Sequence, residues 1–178
     1  MIDVKISVKS LKQRFQVCEP NYIKKVCHGR CCEGSAGLMV TIHETEKARF
    51  EEMGIAVENG FIKDTCGVCP LKADDLCTVH EEKPFGCKAS PFTLNKNGTL
   101  IIRNRYRLLR CYNTPDSIHA YEAHRWSLVQ IFGEEEVNRL VAAIRAGETT
   151  FTAKITELKY KMLVDNDHAK RNVADKSD

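Results

Sequence analysis

Cysteine is the residue type in this chain that stands out for its chemistry, since nine occur among 178 residues. Most fall in two short stretches, residues 18–37 and 64–91. The cysteines in chain order are Cys18, Cys27, Cys31, Cys32, Cys66, Cys69, Cys77, Cys87 and Cys111. An odd number cannot pair completely in disulfides, and buried structural cysteines usually occur singly. We therefore interpret the clusters as metal ligands.

The spacing within each stretch supports metal binding. Cys27-His28-Gly29-Arg30-Cys31-Cys32 places three thiols within six residues, and Cys66-Gly67-Val68-Cys69 has the spacing by which one loop offers two ligands to a tetrahedral ion. A thioredoxin-like redox pair is the alternative, but that motif should open a helix, and here Pro70 follows. His28 and His80 could also be ligands, although the surplus of thiols favours surface or supporting roles for them.

Adjacent side chains diverge in helices and strands, so we expect Cys31 and Cys32 not to bind one mononuclear ion together. Eight thiols would suit two four-ligand sites, or an iron–sulfur cluster such as [4Fe–4S] plus a zinc ion. We prefer an iron–sulfur cluster, with zinc as the alternative cofactor. The predicted metal ligands are Cys27, Cys31, Cys32, Cys66, Cys69, Cys77, Cys87 and Cys111.

Residues 15–112 resemble the YkgJ-type cysteine-cluster family, also described as the CxxCxxCC or zinc- or iron-chelating domain. The resemblance is carried by Cys-His-Gly-Arg-Cys-Cys, Cys-Pro-Leu at 69–71, Cys-Thr-Val-His at 77–80 and Lys-Pro-Phe-Gly-Cys-Lys-Ala-Ser-Pro-Phe at 83–92. It implies that Cys31, Cys32, Cys77 and Cys87 match directly, with Cys27, Cys69 and Cys111 close to family positions. The chain departs from the pattern by one extra residue before Cys31, and the family's first cysteine falls near Lys24, so the choice between Cys18 and Cys66 stays open.

Members of that family are labelled iron–sulfur oxidoreductases or zinc proteins, so the resemblance implies metal binding and leaves enzymatic activity uncertain. A redox or sulfur-transfer role is one hypothesis. A second is a zinc-stabilised binding module for RNA, an anionic ligand or a partner protein. A third, suggested by similarity to flagellin lysine-methylating proteins, is a modification enzyme, and a leftover thiol such as Cys32 or Cys18 would be its nucleophile.

Arginines precede the last cysteine at alternate positions, Arg103, Arg105 and Arg107. On a strand they would share one face and could bind a phosphate, a carboxylate or RNA, with Tyr106 and Tyr112 stacking on a base. The alternative is a solvated strand face. We treat the three arginines as a candidate anion site for a substrate, RNA or redox partner.

The remaining pattern predicts an α+β fold: a small, irregular cysteine-rich core with short hairpins, followed by a helical segment. Residues 1–11 alternate like a strand, Thr41 to Met53 read as a helix, and Asn59-Gly60 and Asn97-Gly98 predict hairpins. Helices are expected from Thr114 to Phe132, over 134–146 and over 152–164. The predicted divisions are a metal-binding region 1–112, a helical segment 113–165 and a disordered tail 166–178.

The composition of the chain indicates the cellular compartment in which we expect the protein. Hydrophobic residues make up 43% and charged residues 29% of the chain, no apolar run reaches the length of a membrane span, and no secretory signal is evident. We therefore expect a cytoplasmic protein with reduced thiols and no membrane contact. A net charge of +3 is too small to imply nucleic-acid binding by itself.

Overall fold

The computed structural model describes residues 1–33, 40–63 and 66–174, with side chains as far as residue 165. The α-helices are α1 (Val8–Leu11), α2 (Pro20–Tyr22), α3 (Glu44–Glu52), α4 (Phe85–Lys88), α5 (Ala120–Ala123), α6 (Arg125–Phe132), α7 (Glu134–Arg145) and α8 (Glu157–Ala174). The strands are β1 (Ile2–Ser7), β2 (Arg14–Phe15), β3 (Val40–Thr41), β4 (Phe61–Ile62), β5 (Lys72–Ala73), β6 (Leu76–Cys77), β7 (Phe92–Leu94), β8 (Leu100–Ile102), β9 (Ile118–His119) and β10 (Thr150–Ile155). The α+β class predicted from the sequence is confirmed.

Contacts within the chain define two units. Unit 1 combines Met1–Cys18 with Ala89–Val164, and unit 2 combines Glu19–Lys88 with Asp165–Asp178. The divisions at residues 112 and 165 that the sequence suggested stay a prediction. Helix α8 extends to Ala174, and residues 175–178, the end of the expected tail 166–178, lie outside the described part of the chain.

Unit 1 is built on a four-stranded sheet in the order β10-β1-β8-β7. Strand β1 pairs antiparallel with β10 and parallel with β8, and β7 and β8 form an antiparallel hairpin. Alternate residues of β1, such as Val4 and Ile6, are buried, and helices α6 and α7 contact β10. Leu128 and Leu140 from these helices are fully buried, so the period-two strands and the helical stripe share one core.

Unit 2 has a smaller apolar core, formed by Ile42, Phe50, Ile62 and Leu71. Partly buried side chains, including Cys69, pack against it. Besides α3 and the end of α8, the described part of the unit consists of short strands and short helical turns. Such a core leaves the cysteine-bearing loops to be ordered by turns, hydrogen bonds and ion pairs.

Several local predictions are confirmed. Helix α3 ends before Gly54, α7 ends at Arg145 before Gly147, and Asn97-Gly98 joins β7 to β8. Asn59 and Gly60 have φ values of 50° and 78°, as a tight two-residue turn requires. The strand after that turn, however, pairs with β3 rather than with the preceding residues 55–57.

Other predictions were wrong. Residues 152–155 belong to strand β10 and not to a helix, because Ala153 and Ile155 point into the core while β10 pairs with β1. The helix expected from Thr114 begins only at Ala120, after strand β9. The first strand ends at Ser7, whose side chain accepts a hydrogen bond from the Ser10 amide and starts α1.

Candidate metal centre

The first cysteine-bearing loop reverses direction at two left-handed residues. A π-helical turn ends at Cys27, His28 and Gly29 follow with φ values of 53° and 59°, and a 3₁₀ turn carries Cys31 and Cys32. A Cβ at Gly29 would lie 2.5 Å from the backbone oxygen of Asp75. Glycine is therefore required here both for its backbone conformation and for the close approach of the chain.

The second loop joins the first through the backbone. Val68 forms a bridge with Glu33, and the Cys69 amide donates to the Cys32 carbonyl at 3.1 Å. Cys66 precedes this contact with a φ of 54°. Main-chain hydrogen bonds therefore join the two cysteine-bearing loops.

The hairpin β5–β6 brings in a further cysteine. Asp74 and Asp75 form its two-residue turn with φ values of 48° and 66°, and the register sets Lys72 opposite Cys77. The Lys72 amide also donates to the Cys69 carbonyl at 3.0 Å. Register and turn together place Cys77 on the strand beside the Cys69 loop.

Cys87 lies on α4, a single helical turn. The carboxylate of Glu46 in α3 accepts a hydrogen bond from the Phe85 amide at 2.9 Å, which fixes the start of that turn. Cys87 is half-buried.

The sulfur atoms of Cys31 and Cys32 lie 3.9 Å apart. Two thiolates on one tetrahedral ion with metal–sulfur bonds of 2.3 Å are about 3.8 Å apart. The expectation that these adjacent side chains would diverge was wrong, because the tight 3₁₀ turn after Gly29 brings both sulfurs to the same side. The pair therefore has the separation that a shared mononuclear ion requires.

The charges that act on Cys32 and Cys69 come from a wider group of thiols. The pKa of the Cys32 thiol is raised well above its usual range by the hydrogen bond to Cys31, by burial, and by the negative charges of Cys31, Cys87 and Cys69. The pKa of Cys69 is raised by burial and by the charges of Cys77 and Cys31, against a lowering backbone hydrogen bond from Leu71. We call Cys31, Cys32, Cys69, Cys77 and Cys87 the five-cysteine cluster.

The donor chemistry of this cluster fits zinc or iron, both of which bind thiolates strongly. Within residues 1–33, 40–63 and 66–165, no three potential ligands are already arranged around a common ion position. Because metal binding and the ordering of its ligands are coupled, the thiols would complete such a site as the ion binds. The ion would supply the positive charge that the clustered thiols lack.

The remaining predicted ligands are placed differently. Cys27 ends the π-helical turn and Cys66 is exposed at the start of the second loop, both in unit 2. Cys111 belongs to unit 1, where it is buried and its carbonyl accepts from the Gln16 amide at 2.8 Å. Cys18 is an exposed residue of unit 1. The assignment of Cys27, Cys66 and Cys111 as ligands stays a prediction.

The predicted arginine strand is wrong, because residues Asn104–Leu108 form a 3₁₀ helix in unit 1. Arg103 is buried, Arg105 lies over the Tyr106 ring at 5.2 Å, and Arg107 is exposed and donates to Gln13 at 3.0 Å. The turn thus gives the three side chains different surroundings rather than one common face. Anion binding by them stays a prediction.

A charged network beside the cysteine loops was missed by sequence reasoning. The Lys72 ammonium group pairs with Glu33 at 2.5 Å and with Asp75 at 3.5 Å, and His28 Nδ1 donates to Asp75 at 2.8 Å. Burial opposes the charged form of Lys72, but Glu33 and Asp75 outweigh it and raise its pKa. The hydrogen bond from His28 and the charge of Lys72 hold the pKa of Asp75 below its usual value. The only sequence signal was an Asp-Asp pair between short apolar runs, which is typical of a turn.

A comparison with known protein families finds a match that covers both cysteine-bearing loops. Residues 23–112, half of the chain, match the model of CxxCxxCC, described as a "putative zinc- or iron-chelating domain". The chain belongs to this family, and the predicted resemblance is confirmed. No match was found among curated proteins or among solved structures. No helix in the described part of the chain is both long and apolar enough to cross a membrane.

Proposed function

We propose that the chain binds one zinc or iron ion through thiolates of the five-cysteine cluster, with Cys31, Cys32 and Cys69 as three of the ligands. The main support for this proposal is the 3.9 Å separation of the Cys31 and Cys32 sulfurs, which suits two ligands of one tetrahedral ion. Either Cys77 or Cys87 supplies the fourth thiolate. A [4Fe–4S] cluster held by four cysteines takes one thiolate on each iron, which would hold the sulfurs farther apart.

The proposed role of the metal is to order unit 2. Four thiolates close the coordination shell of a tetrahedral ion, and a closed shell is the property of a structural site. The small apolar core of the unit gives such a crosslink a clear effect on folding. Redox chemistry, sulfur transfer and lysine methylation rest on the resemblance alone, and no observation on the described residues favours any of them.

Elemental analysis and an absorption spectrum of anaerobically purified protein test the proposal. We expect a colourless protein with one zinc per chain, or a mononuclear iron–thiolate spectrum, and no acid-labile sulfide. Cobalt substitution should show sulfur-to-metal charge transfer with the intensity of a four-thiolate site. A brown protein that contains sulfide would refute the mononuclear site in favour of an iron–sulfur cluster.

Serine variants identify the ligands. Cys32→Ser and Cys69→Ser should each weaken metal binding strongly, whereas Cys18→Ser, at an exposed position of unit 1, should leave it unchanged. Comparison of Cys77→Ser with Cys87→Ser then shows which of the two completes the set. Equal losses for Cys18→Ser and Cys32→Ser would contradict the proposed site.

A further inference from the structure

Lys72 occupies the point where the cysteine-bearing segments of unit 2 meet. Its amide donates to the Cys69 carbonyl at 3.0 Å, and the β5–β6 register sets it opposite Cys77. Its ammonium group donates to the His28 carbonyl at 2.6 Å, within the loop that carries Cys31 and Cys32. One residue therefore touches all three segments.

The surroundings of the ammonium group hold it in one position. The Lys72 side chain is 8% exposed, and it is bound by Glu33, which follows Cys32, and by Asp75, which lies in the hairpin turn. Asp75 in turn binds His28, and the Asp75 carbonyl closely faces Gly29. Long lysine side chains lose much conformational freedom when they are fixed, so this order has to be supported by several partners at once.

From these contacts we infer that Lys72 is a positioning residue for the metal centre. Together with Glu33, Asp75 and His28, a group we call the Lys72 network, it holds the Cys31–Cys32 turn against the Cys69 loop and the Cys77 strand before any ion binds. This inference rests on the proposed function, since it assigns a role toward that same site. Side chains that support metal ligands commonly change metal affinity by 10- to 100-fold when they are removed.

The Lys72 network also accounts for the orientation of the His28 side chain. Its Nδ1 is engaged by the Asp75 carboxylate, an arrangement that fixes the orientation of the ring. His28 thereby belongs to the support of the loop, in agreement with the sequence-based preference for a supporting role.

The test compares Lys72→Met with Lys63→Met in the full chain. Lys63 also pairs with a carboxylate of unit 2, Glu58, but on an exposed hairpin, so it controls for the loss of one lysine charge. Zinc affinity is measured by competition with a chelator. We expect about 10- to 100-fold weaker binding for Lys72→Met and a change of less than about twofold for Lys63→Met. At saturating cobalt the charge-transfer intensity of Lys72→Met should equal that of the wild type, because no ligand is removed.

Hydrogen exchange of the metal-free protein provides a readout that does not require metal. The Cys69 amide, which bonds to the Cys32 carbonyl, should exchange faster in Lys72→Met than in the wild type, and at the wild-type rate in Lys63→Met. Unchanged exchange, or an unchanged zinc affinity, would overturn the inference. Should the wild type bind no zinc or iron, the proposed function fails, while the exchange comparison still decides whether the Lys72 network holds the loops.

Glu33→Gln provides a second variant in case Lys72→Met does not fold. It keeps the shape of the side chain and removes one charge from the Lys72 network, so we expect a smaller loss of zinc affinity, about 3- to 10-fold. In the double variant with Lys72→Met, the two losses of zinc affinity should not add, because each substitution removes the same ion pair between Lys72 and Glu33. Wild-type affinity and Cys69 exchange in Glu33→Gln would overturn the inference.

Discussion

Replacement of Gly29 by alanine tests the close approach of the first cysteine loop to the β5–β6 turn. Gly29 has a φ of +59°, where an alanine costs about 1–2 kcal/mol in backbone strain. The added Cβ would also lie 2.5 Å from the Asp75 backbone oxygen and 3.1 Å from Lys72 Cε. Because a backbone atom cannot simply rotate away, this overlap should cost about 1–3 kcal/mol more.

Gly54 offers a matched control in the same unit. It has a φ of +76°, and a Cβ there would meet nothing within 4 Å. Gly54→Ala should therefore incur only the backbone term of about 1–2 kcal/mol. The difference between the two variants isolates the contact between Gly29 and Asp75 from the general cost of alanine in a left-handed conformation.

Urea unfolding of the metal-free protein measures both free energies of unfolding, and chelator competition measures zinc affinity. We expect Gly29→Ala to lose at least about 1 kcal/mol more than Gly54→Ala. It should also bind zinc more weakly, because displacement of Gly29 moves Cys31 and Cys32. Equal losses of stability and an unchanged zinc affinity would show that the loop does not lie against the hairpin turn.

Three further changes have clear expected outcomes. Zinc affinity should rise between about pH 6 and 8, by up to about tenfold per pH unit for each protonated ligand. The reason is that Cys32 and Cys69 have raised pKa values and must lose a proton to bind the metal. A flat pH profile in chelator competition would contradict this prediction. Ser10→Ala should lower the free energy of unfolding by about 1–3 kcal/mol, since the buried Ser10 hydroxyl accepts from the Ile102 amide at 2.8 Å; urea titration checks it. Phe50→Ala should cost about 3–5 kcal/mol in the same assay, because Phe50 is fully buried in the core of unit 2, whereas the exposed Met53→Ala should cost less than about 1 kcal/mol.

Local signals in the sequence predicted the elements that depend on local chemistry. The Asn-Gly pairs at 59–60 and 97–98 specify turns because both positions tolerate a positive φ. Gly54 and Gly147 end helices for the same reason. Cysteine spacing likewise pointed to the two loops of the candidate centre, since the cysteines within each loop are close together in the chain.

Elements that depend on distant partners could not be predicted in this way. Strand β10 is only six residues long, and its register is set by pairing with β1, which is distant from it in the sequence. Arg103 to Arg107 alternate like a strand, yet the chain turns there because Arg103 and Tyr106 are both buried. The Lys72 network was also hidden, since Glu33 and Lys72 are far apart in sequence and a single lysine carries no signal of its partner.

The charges of unit 2 indicate what a bound metal ion would contribute, which is positive charge beside the thiols. Lys72 is a cation beside the cysteine loops, but its charge is shared with Glu33 and Asp75, so it offsets those carboxylates rather than the thiols. The raised pKa values of Cys32 and Cys69 agree with this, because an uncompensated ammonium group near the sulfurs would favour thiolates and lower those pKa values. The Lys72 network therefore carries no excess positive charge beside the thiols. At the proposed site a bound cation would make several neighbouring thiolates stable together, and we therefore expect the cluster to favour a divalent metal over a protonated, metal-free state near neutral pH.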